Sequence, residues 1–251
     1  MNHFTASALL TSAASLAVSL YALAQRDGSA GVVKRLFALY WFSIAFWSFF
    51  VGLQAVFLHL MPEILWGWLL HAGVLFVPTT FFHFSLILTQ RLTKHRTALF
   101  SAYGLTLAFL ALNSFTTLFT HGVAYREGYA YPIPARLYLV FFVCFIAFVL
   151  WGTTLLFRHL HSARPERKGA FGTFLAFHLL ACVGGMDNFA IMWDIKIFPL
   201  YPFGLYAVVL YACAALYALK RKAFSPASLP EAVLSYGHAP PEQVPVSSVG
   251  T

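Results

Sequence analysis

The chain has 251 residues, of which 60% are hydrophobic and only 10% are charged, and its formal net charge is +8. A soluble domain typically carries about 25% charged residues, and a fold of this length has too small an interior to bury so much apolar surface. The composition therefore excludes an ordinary soluble protein. It also argues against nucleic-acid binding, because the basic residues lie in short segments between apolar runs.

Seven apolar runs follow one another along the chain, each close to the roughly 20 residues that a helix needs to cross a bilayer. Backbone groups in hydrocarbon must be satisfied within the segment, so each run is predicted to be helical. The predicted spans are 4–24, 36–60, 67–89, 97–119, 137–157, 170–192 and 200–219. The sequence thus predicts an all-α membrane protein, a bundle of seven transmembrane helices over 1–222, followed at 223–251 by a disordered, Pro-containing cytoplasmic tail.

The first run also looks like a signal peptide, because residues 22–24 resemble a cleavage site. However, no basic segment precedes it, and cleavage would place every later loop on the side opposite to that indicated by its charge. We therefore interpret it as a membrane helix whose small residues suit close packing against other helices. These residues are Ala8, Ser12, Ser15 and Ser19.

Basic residues are concentrated on one side of the predicted bundle, which sets its orientation. That side carries Arg26, Lys34, Arg35, Arg91, Lys94, Arg96, Arg158, Arg164, Arg167, Lys168, Lys220, Arg221 and Lys222, and the other side carries Arg126, Arg136 and Lys196. The positive-inside rule then predicts an outside N-terminus and a cytoplasmic C-terminus. The longest outer loop, 120–135, is rich in tyrosine and is predicted to lie against the membrane surface.

Polar residues in the outer half of the spans form the candidate site. With a rise of about 1.5 Å per residue, five spans each place one polar side chain about 5–10 Å outward of the midplane. These residues are Asp187, His71, Gln54, Asn113 and Tyr206, and Asn188 adds a sixth. One interpretation is an outward-opening pocket that binds a small or lipophilic ligand. The other is that these groups only form hydrogen bonds between helices, as polar residues in membranes commonly do.

No catalytic or metal site is predicted. Asp187 is the only acidic residue within the predicted spans, and the hydrolase, metalloprotease and kinase signatures are missing from the sequence. The three cysteines, Cys144, Cys182 and Cys213, lack metal-ligand spacing. No cofactor is therefore expected, and a haem held by His83 and His178 is kept as an alternative. We expect a protein that is not an enzyme.

Three passages resemble the seven-helix N-terminal sensor region found on some bacterial sensor histidine kinases. They are Leu-Tyr-Trp-Phe-Ser-Ile-Ala-Phe-Trp-Ser at 39–48, Phe-Val-Pro-Thr-Thr-Phe-Phe-His-Phe-Ser at 76–85 with Gln-Arg at 90–91, and Gly-Gly-Met-Asp at 184–187 continuing through Tyr-Pro-Phe-Gly at 201–204 to Lys-Arg-Lys at 220–222. The resemblance extends over residues 1 to about 222. In that family the last helix leads into cytoplasmic signalling domains, whereas here no kinase core follows.

The resemblance implies a multi-pass sensor or receptor-like protein of the bacterial inner membrane, without a catalytic domain. A structural or assembly subunit of a larger membrane complex is the alternative. The expected partners are the lipid bilayer, a membrane protein or a second copy of the chain, and an unknown small ligand. No nucleic acid is expected.

Overall fold

The computed structural model describes residues 3–25, 31–126, 129–163, 165–197 and 202–224. Within these residues, seven helices are long and apolar enough to cross a membrane, which confirms the predicted fold class. They are α1 His3–Ala24, α2 Gly31–Phe57, α3 Glu63–Leu88, α4 Arg96–Phe115, α5 Tyr138–Ser162, α6 Pro165–Ala190 and α7 Phe203–Lys220. Single 3-10 turns, Leu58–Leu60 and Ile191–Trp193, extend α2 and α6.

Helix α3 is the most deeply buried of the seven helices within the described residues. In its most apolar stretch 72% of the residues are buried, whereas the corresponding value for α4 is 28%. Helix α3 packs against α2, α4 and α5, while α1 packs between α2 and α7, and α6 contacts both α5 and α7. Six helices therefore form a closed ring in the order α1, α2, α3, α5, α6 and α7, and α4 is attached to its outer side through α3.

The helices approach each other most closely at small residues. This is expected in a membrane, where the hydrophobic effect does not drive helices together and close packing contributes more to their association. A Cβ on Gly73 of α3 would lie 2.5 Å from the backbone nitrogen of Trp47 on α2. A Cβ on Gly204 of α7 would lie 2.6 Å from the carbonyl oxygen of Gly184 on α6. The glycines in the last of the three family-like passages thus allow α6 and α7 to touch backbone to backbone.

The small residues predicted to pack α1 closely do so. Ala8 and Ser15 have no exposed surface. The Ser12 hydroxyl donates to the carbonyl of Ala45 at 2.9 Å, and the Ser19 hydroxyl donates to that of Ala38 at the same distance. Both acceptors lie on α2, so these hydrogen bonds fix α1 against its neighbour over about two helical turns.

The loop 120–135, which the charge distribution predicts to be an outer loop, contains a β-hairpin that was not predicted from the sequence. Strand β1, Thr120–Arg126, pairs antiparallel with β2, Tyr129–Pro134. The ring of Tyr129 stacks on Phe4 of α1 at 4.1 Å between centroids, and Arg126 forms an ion pair with Asp194 at 2.7 Å. We call this end of the bundle the hairpin end. Helix α4 stops at Phe115, four residues earlier than predicted, because Thr116 is already extended.

The opposite end carries the basic loops, and we call it the basic end. After α7, Lys222 adopts a left-handed conformation with φ 53°, and the N–H of Ala223 donates back to the carbonyl of Ala218 at 2.9 Å. This reversal is a typical helix C-terminus. It inserts Phe224 between Phe37 and Phe174, at centroid distances of 4.7 and 4.9 Å.

The end of the bundle therefore differs from the boundary predicted at 222. Ala223 and Phe224, assigned by sequence to the tail, are 6% and 2% exposed and belong to the core. The rest of the predicted tail, 225–251, lies outside the described residues.

Candidate functional site

A cavity of about 170 Å³ lies inside the ring of helices. Helices α2, α3, α5, α6 and α7 provide most of its wall, and strand β2 contributes Tyr129 and Tyr131 at the hairpin end. Both tyrosines are buried, at 9% and 8% exposure, so the hairpin covers this end of the cavity. Most of the lining is apolar, including Ile44, Val74 and Phe189.

Three of the six predicted site residues line the cavity: Gln54, His71 and Asn188. Gln54 is 4% exposed, and its Nε2 has no hydrogen-bond partner within the described part of the chain. An unpartnered buried polar group costs about 1–3 kcal/mol. Nε2 itself has less than 1 Å² of accessible surface, so this atom is enclosed by protein and is not open to the cavity.

His71 and Asn113 meet at one backbone carbonyl. The oxygen of Gly67 accepts from His71 Nδ1 at 2.7 Å and from Asn113 Nδ2 at 3.3 Å. Since a carbonyl can only accept, the His71 proton is assigned to Nδ1, which leaves Nε2 as an acceptor in the neutral ring. Asn113 Oδ1 also accepts from Thr120 Oγ1 at 3.1 Å. Asn113, which does not line the cavity, thus joins α3, α4 and β1.

The other two predicted residues lie away from the cavity wall. Asp187 has no exposed surface, so its carboxylate does not face lipid, yet it is not among the residues that line the cavity. Tyr206 is 43% exposed on α7 and does not line the cavity either. The six residues were grouped because their predicted depths in the membrane are similar, but their side chains do not all face the cavity.

The part of the cavity away from the hairpin is lined by two tyrosines that the sequence did not single out, Tyr40 and Tyr211. His178, which the sequence offered only as a haem ligand, lines it too. The Thr153 hydroxyl donates to the carbonyl of Val149 at 2.7 Å and so must accept from His178 Nε2, 2.8 Å away. Both tyrosines lie inside predicted spans, which is a signal that the sequence contains. The chain has 12 tyrosines, however, and no sequence feature distinguishes these two from the others.

The histidines of the haem alternative have different partners. His83 Nδ1 lies 3.0 Å from the Tyr103 hydroxyl on α4, whereas His178 bonds Thr153 on α5 and stacks on Phe81 at 4.5 Å. Of the two, His178 alone lines the cavity. Among the described residues, no three His, Cys, Asp or Glu side chains are grouped to hold a metal ion.

Comparison with known proteins identifies one family. The model of the N-terminal 7TM region of histidine kinase matches residues 7–227, which include all of α2 to α7 and most of α1. No curated protein matches the chain, and no solved structure does.

Proposed function

The chain belongs to the family of N-terminal 7TM regions of histidine kinases, and from this membership we propose that it senses a small or lipophilic ligand bound in its central cavity. The family gives the chain a membrane sensor role. The ligand site is our addition, and the observation that supports it is the cavity itself. It lies within the ring of helices, is covered by the hairpin, and has Gln54, His71 and Asn188 among its mostly apolar lining residues.

The cavity has the character of a ligand site because an apolar wall is combined with a few hydrogen-bonding groups. Close packing normally leaves few voids larger than a water molecule inside a protein. A void of about 170 Å³ forfeits packing contacts. A ligand that fills the space recovers them.

A ligand in this position can alter the arrangement of the helices. Helix α7 contributes Val208 and Tyr211 to the cavity wall and ends at the basic end beside Phe224. A ligand that binds one arrangement of the ring better than another shifts the population toward it. We propose that α7 transmits this shift to the basic end, which the charge distribution predicts to be cytoplasmic.

Two glycine substitutions on α6 test the ligand site. A Cβ on Gly185 meets nothing within 4 Å, and this residue lines the cavity; Gly172 is equally open but does not line it. Gly185→Phe should fill the cavity, with Gly172→Phe as the matched control. The readout is thermal unfolding in detergent, with and without an organic extract of the native membranes and culture medium.

The extract should raise the Tm of the wild type and of Gly172→Phe and have little effect on Gly185→Phe. Stabilisation is expected because a ligand that binds only the folded state adds RT ln(1 + [L]/Kd) to its stability. An equal rise in both variants, or no rise in the wild type, would contradict a ligand site in this cavity.

We also propose that the chain works in the bacterial inner membrane, has no catalytic activity of its own, and signals through a membrane-protein partner or a second copy. The matched family region is a sensor region, without the kinase core. Purification of the tagged chain from native membranes in mild detergent tests the partner. A stoichiometric second protein or a dimer is expected, and a solitary monomer would refute this part of the proposal.

A further inference from the structure

Two polar groups of the cavity wall lack a partner and keep accessible surface. His71 and Tyr138 both line the cavity, and the only hydrogen bond of either side chain within the described residues runs from His71 Nδ1 to the carbonyl of Gly67 at 2.7 Å. His71 Nε2 and the Tyr138 hydroxyl are not among the fully enclosed, unpartnered polar atoms of these residues, whereas Gln54 Nε2 and the Tyr211 hydroxyl are. Since His71 and Tyr138 are otherwise buried, at 3% and 2% exposure, the cavity is the space that their free atoms face.

Neighbouring aromatic rings fix the orientation of the His71 imidazole. It meets Phe119 edge to face at 5.2 Å between centroids and Tyr138 at 5.6 Å, and Phe119 directly precedes strand β1. Because the proton on Nδ1 is donated to Gly67, the neutral ring keeps its lone pair on Nε2, which can only accept. The Tyr138 hydroxyl can donate. The cavity therefore offers one acceptor and one donor on adjacent rings, beside the hairpin.

The wall of the cavity carries no formal charge that would hold an ion. None of its lining residues is Lys, Arg, Asp or Glu. A carboxylate could be held only if His71 became protonated. Both charges would then be desolvated, and their attraction offsets that cost only with excellent geometry and further hydrogen bonds. The wall therefore favours a neutral ligand.

From these features we infer that the cavity takes a neutral, apolar molecule with a hydroxyl group, whose O–H donates to His71 Nε2 and whose oxygen accepts from the Tyr138 hydroxyl. An alcohol or a phenol has this chemistry, whereas a ketone, ether or ester lacks the donor and leaves the imidazole unpaired. The inference rests on the proposed ligand site and specifies what the site binds. The source is either a diffusible alcohol or a hydroxyl-bearing membrane lipid.

Photolabelling tests the inference. The full chain in lipid-free detergent is labelled with an octanol that carries a diazirine in its chain, and the labelled peptides are identified by mass spectrometry. Competitors are 1-octanol, 2-octanone, octane and octanoate at pH 8, compared at equal mole fraction in the micelles. Labelling of the exposed perimeter residues Leu107 and Phe115 reports non-specific partitioning.

1-Octanol should suppress labelling of the cavity peptides and leave the perimeter unchanged. 2-Octanone, which accepts but cannot donate, should compete about tenfold more weakly, because it leaves a buried acceptor unpaired. Octane has neither group and octanoate is charged, so each should compete no better than the ketone. Suppression by added diacylglycerol would assign the hydroxyl to a membrane lipid, and lack of suppression would assign it to a diffusible alcohol.

The variant His71→Asn separates the hydroxyl contact from general apolar binding. The asparagine amide can still donate to Gly67 from near the position of Nδ1, but it places no acceptor at the position of Nε2, so 1-octanol and 2-octanone should become equal competitors. His83→Asn is the matched control on the same helix, since His83 bonds Tyr103 through Nδ1 and does not line the cavity; it should retain the wild-type preference. Tyr138→Phe gives a second test if His71→Asn does not fold. It keeps the ring and should weaken 1-octanol and 2-octanone alike while leaving octane unchanged.

The outcomes distinguish this inference from the proposed function. Saturable cavity labelling that 2-octanone or octanoate suppresses as well as 1-octanol does, or a preference for 1-octanol that survives in His71→Asn, overturns the ligand class alone. Absence of saturable cavity labelling, with the perimeter still labelled, also overturns the class. The proposed ligand site falls with it only if the native extract gives no rise in the Tm of the wild type.

Discussion

Replacing Phe224 with alanine should weaken the bundle at its basic end. The ring is 2% exposed and contacts three helices although it lies beyond α7. Its nearest aromatic neighbours are Phe37 at 4.7 Å, Phe174 at 4.9 Å, Phe84 at 5.6 Å and Phe171 at 5.9 Å. Truncation would remove all four ring contacts and leave a void between α2, α3 and α6.

The expected loss is about 3 kcal/mol of unfolding free energy. Phe→Ala substitutions in protein cores typically cost 3–5 kcal/mol, and each aromatic pair contributes about 0.5–1.5 kcal/mol beyond its buried area. We take the lower end because apolar burial gives less driving force where the alternative surroundings are lipid.

Unfolding of the full chain by SDS in mixed micelles, followed by tryptophan fluorescence, measures this loss. Trp41 reports locally, since its ring lies 6.1 Å from that of Phe37. Phe115→Ala is the matched control, because Phe115 is 85% exposed at the end of α4 and should change stability by no more than about 0.5 kcal/mol. If the two variants lost equal stability, or Phe224→Ala lost none, Phe224 would not be part of the core.

Three further predictions follow from the fold and the site. Cysteines introduced beside one basic residue of each predicted cytoplasmic loop should be accessible only from the cytoplasm, and outside labelling at two sites would reject the orientation. Those sites are Lys34, Arg91 and Arg167. Gly73→Val should cost about 1–3 kcal/mol by SDS unfolding, because its side chain meets the backbone of Trp47, whereas Gly104→Ala, with open space around it, should not destabilise. Asp187→Asn should leave the ligand-induced rise in Tm intact, because Asp187 does not line the cavity. Loss of that rise would show that Asp187 contributes to ligand binding.

The sequence predicted the seven helices because spanning a bilayer is a one-dimensional requirement on length and apolarity. It also grouped six polar residues by their predicted depth, since helical rise is constant; three of them, Gln54, His71 and Asn188, line one cavity. Family-like passages around 39–48, 76–85 and 184–204 fall within the matched region. These results required no knowledge of how the helices pack.

Which side of each helix faces the cavity and which side faces outward was decided only by the tertiary structure. In a soluble protein, polar residues mark the face that points to water, but here the lipid-facing and core-facing sides are both apolar. Tyr206 and Tyr211 lie on the same helix and are of the same residue type, yet the first is 43% exposed and the second 1%. Asp187 and Asn188 are adjacent in sequence, but Asn188 alone lines the cavity.

The hairpin and the position of Phe224 also depended on the tertiary structure. Strand β2 holds its place through Tyr129 stacked on Phe4, a residue 125 positions away in the chain, and Phe224 is buried by residues from α2, α3 and α6. Neither segment has enough local apolar pattern to predict its burial. The sequence determined which segments are long and apolar enough to cross a membrane, because that depends on length and composition alone. Long-range packing decided which polar groups face the cavity and how both ends of the bundle are closed.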